Sequence, residues 1–247
     1  MERVFIPDGF DISKPIFRYM PLTGFLKMLE TRRFRVAQRK TFSDALESKL
    51  DLKRQFMPVY VGEGAPKPDE TSIKEDIAKI NMKSKLHGRH SDLLVSCWTT
   101  KQDESMMMWQ CYAQKIGVRI QSDASSFISA IDCRDIDCLC SGIAYERDDW
   151  NHSAVDILFA KHPAYRDEEE VRFYFANIDE EKDCIMPIDD NGINSQKCHN
   201  FPINLEYCIH NVMLSPFIDA CVAQKLARWI KRDYGIYVRL SSIQISQ

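Results

Sequence analysis

Lys161-His-Pro-Ala-Tyr-Arg-Asp-Glu-Glu-Glu-Val-Arg-Phe-Tyr-Phe175 is an acidic run that turns without a break into an apolar, aromatic strand. Side chains two apart on a strand point to the same face. Glu168, Glu170 and Arg172 therefore share one surface, while Val171, Phe173 and Phe175 take the other. Two carboxylates and a guanidinium on one face form either a solvated salt-bridge ladder or the wall of a cleft. In a cleft, the carboxylate stabilises developing positive charge and the arginine holds it in place.

Working outward, helices and strands alternate irregularly. Pro15–Met20 reads as a strand, and Pro21 opens a helix carrying Leu22, Phe25, Leu26 and Leu29. Phe34–Ala37 reads as a strand, and Phe42–Phe56 as a helix or ordered loop. The charged stretch from about residue 50 to 90 reads as a helical insertion, with Ile73, Ile77 and Ile80 on one side of a surface helix. Leu93–Thr100 reads as a buried strand. A helix through Met106, Trp109 and Tyr112 follows, capped by Asp103 or Ser105. Gly117–Gln121 is then a strand, Ser126–Cys133 a helix, Ile143–Tyr145 a strand and Val155–Lys161 a helix. Ile209–Leu214 reads as a strand, Ile218–Tyr234 as an amphipathic helix and Ile236–Arg239 as a closing strand. Strands with one polar and one apolar face, in irregular alternation with helices, predict a single mixed α+β domain over residues 1–247.

Composition narrows the functional classes. The chain has 247 residues, 45% hydrophobic, with a formal net charge of -3, so bulk charge draws it to neither nucleic acid nor membrane. It contains no apolar run of about 18 residues and no basic-then-apolar start, which predicts no membrane span and no secretory signal. Nine cysteines without regular spacing, several of them in apolar surroundings, fit reduced thiols in a cytoplasm. Cys133, Cys138 and Cys140 cluster in sequence, and Cys198 precedes His199, but no pair has zinc-knuckle spacing, so no metal site is expected. Neither a G-x-G-x-x-G nor a Walker pattern occurs among the nine glycines. The run Arg32-Arg-Phe-Arg-Val-Ala-Gln-Arg-Lys40 is basic with an aromatic inside, as a phosphate-tracking edge would be.

One succession of motifs spans most of the chain. It comprises Phe-Arg-Tyr-Met at 17–20, Phe-Arg-Val-Ala at 34–37 with Phe42-Ser-Asp44, and Ser96-Cys-Trp-Thr99. It continues with Met108-Trp-Gln-Cys-Tyr-Ala113 and Gly117-Val-Arg-Ile120, then Tyr145, Lys161, Tyr165 and Glu168-Glu-Glu-Val-Arg172. In this order they resemble the bacterial DUF2971 family. The layout is similar to ADP-ribosyltransferases of the toxin and phage-defence kind. That resemblance implies split sheets with flanking helices, NAD as the substrate, and a macromolecular acceptor, protein or nucleic acid.

The resemblance also implies roles. Glu170 is the carboxylate beneath the ribose, where loss of nicotinamide builds oxocarbenium character, with Glu168 as its companion and Arg172 in support. Arg18 meets the NAD diphosphate as a fork. Tyr19, Trp98, Trp109 and Tyr112 are the aromatic side chains placed to stack on nicotinamide or adenine. Two other classes remain: a nucleic-acid-binding protein or nuclease, and a non-catalytic partner in a toxin-antitoxin or phage-defence system. The cysteine reading is tested directly: titration under denaturing conditions should find nine free thiols, and elemental analysis should find no stoichiometric zinc.

Overall fold

The computed structural model of the chain describes residues 3–7, 9–41, 92–134, 136–145, 158–179, 184–188 and 198–245. The expected insertion at about 50–90, and the element expected over Phe42–Phe56, lie outside these residues.

The first unit shows how the sequence builds the fold. Strand β2 (Pro15–Pro21) alternates Ile16, inside the main core, with Phe17 and Tyr19 on the reverse face. Pro21 closes β2 and caps helix α1 (Leu22–Thr31), whose buried stripe is Phe25, Met28 and Leu29. Arg32, in a left-handed conformation, ends α1 and turns the chain into β3 (Arg33–Gln38). There Phe34 and Val36 face inward while Arg33 and Arg35 face solvent.

Strand β4 (Leu94–Thr99) leads through the Ser105 cap into α2 (Met106–Cys111). Strand β5 (Gly117–Asp123) leads through the Asp123 cap into α3 (Ala124–Ala130), followed by β6 (Asp137–Gly142). The chain continues with β7 (Glu170–Asp179), β8 (Cys184–Met186), β9 (Cys198–Pro202) and the short helix α4 (Leu205–Cys208). Strand β10 (Asn211–Leu214), helix α5 (Ala220–Tyr234, capped by Asp219) and β11 (Val238–Leu240) complete the order, with β1 (Val4–Phe5) at the start.

The expected mixed α+β class is what the structure shows: one large, open, mainly antiparallel sheet with several helices. Its order is β1-β6-β7-β4-β2-β5-β10-β11, and only the β1–β6 and β10–β11 pairs are parallel. The sheet forks at β4. One edge of β4 pairs with β7 throughout. The other edge is divided between β3, at Leu94 and Val95, and β2, at Thr99. β3 then carries β9 as a side arm. The arms curve around one core in which Trp98, Phe34, Phe127 and Phe173 pack ring to ring.

Several sequence expectations need correction. Ile143–Tyr145 is not a strand; the chain pairs earlier, as β6, and only Ala144 forms an isolated bridge to Ala160. Strands β6 and β9 were read only as cysteine clusters, because their Asp, Cys, Ser, His and Asn residues hide the alternation. Of the helix expected at Val155–Lys161, Leu158 is helical, Phe159 is in a turn and Ala160 forms that same bridge, and the rest lies outside the described residues. No helix among the described residues is long and apolar enough to cross a membrane.

Gly117 sits where β5 crosses the end of β2. A Cβ there would lie 2.4 Å from the Met20 carbonyl oxygen and 2.7 Å from Ala113 Cβ and the Ala113 carbonyl oxygen. Two of these neighbours are backbone and cannot step aside. Gly117→Ala should therefore destabilise the fold by about 1–3 kcal/mol, read as a lower denaturation midpoint.

Candidate functional site

The acidic row begins in a tight helical turn, Pro163–Glu168, that the sequence specifies locally. Pro163 occupies its first turn, and the His162 ring caps it by accepting from the Ala164 amide at 3.1 Å. The turn ends at Glu169, whose φ of 44° is left-handed. Such a conformation costs a non-glycine residue about 1–2 kcal/mol. The end of β4 holds the reversal in place: the Thr100 amide donates to the Glu169 carbonyl at 2.9 Å, and Thr99 Oγ1 donates to the Glu168 carbonyl at 2.5 Å. The reversal brings Glu168 and Glu170 together although Glu168 is not itself in the strand.

Both carboxylates are buried, 5% and 6% exposed, and Arg172 is 1% exposed, which excludes a solvated ladder. Arg172 forks onto Glu170, Nε to Oε1 at 2.8 Å and Nη2 to Oε2 at 3.0 Å. Lys161 Nζ lies 2.7 Å from Glu168 Oε2 and 3.1 Å from Glu170 Oε2. Tyr112 donates its hydroxyl to Glu168 Oε1 at 2.8 Å. The Glu170 amide donates to the Tyr145 hydroxyl at 2.8 Å, and the strand register places Cys97 opposite Arg172 on the same face. Among the described residues, two anions and two cations thus meet in a buried tetrad, roofed by tyrosines.

The electrostatics follow from this arrangement. Burial alone would raise the Glu170 carboxyl; the Arg172 charge and hydrogen bonds, helped by Lys161 and Cys97, outweigh it and hold Glu170 below the usual carboxylate range. Burial, then the neighbouring Glu170 charge, pushes the Cys97 thiol far up, which disfavours the nucleophilic thiolate. Burial, then the Glu168 charge, raises the Tyr112 hydroxyl. Burial also pushes Tyr145 up to about 12.

The structure brings together Glu168, Glu170, Arg172 and Tyr112 from the expected set, and separates the others. The register pairs Cys97 with Arg172, Thr99 with Glu170, and Phe17 with Thr99, so these residues share the tetrad's face. Arg18 and Trp98 fall on the core side of their strands. Trp98 is 3% exposed, packed between Phe34, Phe127 and Phe173, with its indole N–H on Ser96 Oγ. It has no face left for a ligand ring, which corrects the expectation of stacking.

Arg18 donates to the same Ser96 hydroxyl and lies over the Phe34 ring at 4.9 Å, at the crotch of the fork. Burial lowers its basicity. Trp109 is fully buried against the edge of Tyr19, with its N–H on Glu104, and it too is a core ring. Tyr19 lies on the tetrad's face but is 7% exposed, and its hydroxyl accepts from the Ser105 amide.

Sequence reasoning assigned no role to Lys161, Tyr145 or Cys97. Lys161 and Tyr145 end segments that read as a helix and a strand, whose patterns say nothing of the acidic row, and Cys97 is recognisable only through its register with Arg172. The basic run at 32–40 is largely engaged: Arg32 forks onto Glu206, Arg33 reaches the Asn200 carbonyl, and Arg39 is buried. A shallow cleft of about 350 Å³ lined by Arg32, Asp132, Asn204 and Glu206 lies at the far end of β3 and β9, away from the tetrad. Among the described residues no group of His, Cys, Asp and Glu could hold a metal ion. No protein-family model matches the chain, and neither a curated protein nor a solved structure matches it.

Because the folded-state value of Glu170 is depressed, its stabilising contribution is present above the ordinary carboxylate range and is lost as pH falls through the depressed value. Arg172→Met removes the main cause of that depression. It should cost about 3–5 kcal/mol at neutral pH, because a buried charge loses its partner. It should also move acid unfolding to higher pH, as followed by circular dichroism.

Proposed function

We propose that the chain cleaves the nicotinamide–ribose bond of NAD and transfers ADP-ribose to a macromolecule, as the family resemblance implies. The observation that carries this reading is Glu170: a buried carboxylate at the start of a strand, held ionised by a forked arginine, with a second glutamate beside it. Loss of nicotinamide leaves positive character on the ribose, and a fixed, desolvated carboxylate is worth most against such charge. Glu170 is the catalytic carboxylate and Glu168 its companion for a ribose hydroxyl or the acceptor. Arg172 keeps Glu170 charged and aimed.

The donors on Glu170 are charge-assisted: two guanidinium N–H groups and an ammonium. A substrate hydroxyl that reaches Glu170 competes with these donors. Trp98 and Trp109 take no part in this reading, and Tyr112 is the aromatic at the rim, 45% exposed with its hydroxyl on Glu168. Arg18 lies across β4 from the tetrad and serves as a diphosphate anchor only for a ligand that enters the fork.

A second reading is a non-catalytic partner domain. What favours it is the completeness of the tetrad: each carboxylate oxygen of Glu168 and Glu170 already has a donor within the protein.

Purified chain incubated with labelled NAD and cell extract separates the two. Turnover should be seen, and Glu170→Gln should lower it about 100- to 1000-fold while NAD binding survives. Glu170→Gln is assayed below its own unfolding temperature, because the amide faces two cations. Wild-type protein that neither binds nor consumes NAD, or a fully active Glu170→Gln, overturns the proposal.

A further inference from the structure

We infer that Lys161 is the positioning residue of the site: its ammonium ties Glu168 to Glu170 so that the two carboxylates act as one unit. The catalytic consequence rests on the NAD-cleavage reading above; the tie itself does not.

The argument begins with repulsion. Two carboxylates two residues apart in a low-dielectric site disfavour one another's charge. Strand geometry does not oppose this, because Glu168 precedes the strand and is separated from it by the left-handed Glu169. The guanidinium of Arg172 forks onto Glu170. The cation that reaches both acids is Lys161, 2.7 Å from one and 3.1 Å from the other, with its side chain 6% exposed. A lysine so deeply buried keeps its charge only where anions face it.

Its position is fixed from outside the strand. The Lys161 amide donates to the Ala144 carbonyl at 3.0 Å, and its ammonium lies 4.5 Å from the centre of the Tyr165 ring. The groups that face this ammonium and its two acids are Arg172 from β7, Cys97 from β4, Tyr112 from the end of α2, Tyr145, and Tyr165 from the helical turn. Among the described residues, Lys161 and Arg172 are the cations of this group, and removing Lys161 leaves its two acids opposite one described guanidinium.

The test uses the full chain as wild type, Lys161→Met and Lys161→Arg, with Lys161→Gln as a second neutral variant should the Met form fail to fold. NAD consumption is followed across acidic to alkaline pH. The neutral variant should lose about 100-fold near neutrality. Its acidic limb should lie about one pH unit or more above that of wild type, with rate recovered as pH rises. Lys161→Arg should keep the wild-type limb. A neutral variant with an unmoved limb and a uniform loss at every pH, or with full activity, overturns the inference.

A measurement without turnover separates the two claims. The acid-unfolding midpoint of the neutral variant should lie at higher pH than those of wild type and Lys161→Arg. If wild type consumes no NAD, the proposed reaction fails and this midpoint still decides the role of Lys161; an unshifted midpoint rejects it.

Discussion

The fork of Arg172 onto Glu170 is the contact around which the sheet is arranged. Taking an arginine and a glutamate out of water costs several kcal/mol per ion before their attraction is counted. The cost is offset only when the fork is aligned and the remaining donors find acceptors. Arg172 Nη1 therefore reaches the Leu158 carbonyl at 3.1 Å, and the Tyr174 hydroxyl reaches the same carbonyl at 3.1 Å. A slip of one residue in β7 would turn Arg172 toward Trp98 and Phe127 and turn Phe173 toward the tetrad. The ion pair and the aromatic core thus enforce the same register from opposite faces.

That constraint extends to segments far apart in sequence. Tyr112 ends α2, Tyr145 follows β6, Lys161 precedes the helical turn, and Cys97 lies in the neighbouring strand. Tyr112, Tyr145 and Lys161 do not pack there for apolar burial alone: two hydroxyls and an ammonium each meet a glutamate of the row, and Cys97 is set beside Arg172 by strand register.

How much of this was legible in the sequence depended on where periodicity was strong. The row Glu168, Glu170, Arg172 was legible because Val171, Phe173 and Phe175 mark the opposite face without ambiguity. Strands β2, β4 and β5 were legible for the same reason. Strand β6, Asp-Cys-Leu-Cys-Ser-Gly, and β9, Cys-His-Asn-Phe-Pro, carry too few branched or aromatic residues to announce themselves, and register alone makes them strands. The sides on which Arg18 and Trp98 fall could not be read locally. Alternation separates neighbours on a strand, but only the pairing of β4 with β7 shows which side of Trp98 is core. The role of Lys161 has no local signal, since no local pattern reports a contact made seven and nine residues later.

A buried tetrad of two acids and two cations serves a static fold and a reactive site in different ways, and the distinction lies in which charge is replaceable. For stability alone, apolar residues of equal volume would serve as well or better, because buried ion pairs seldom exceed their desolvation cost. Retaining four charges is useful where a charge develops later beside them. The balance of cations then matters: burial raises the Glu170 carboxyl, and Arg172 with Lys161 outweighs it and holds Glu170 below the usual carboxylate range. They hold it from the strand side and from the approach to the helical turn. In the reaction proposed above, a nascent oxocarbenium ion would meet a carboxylate already charged, dry and oriented, so little reorganisation would be required as it forms.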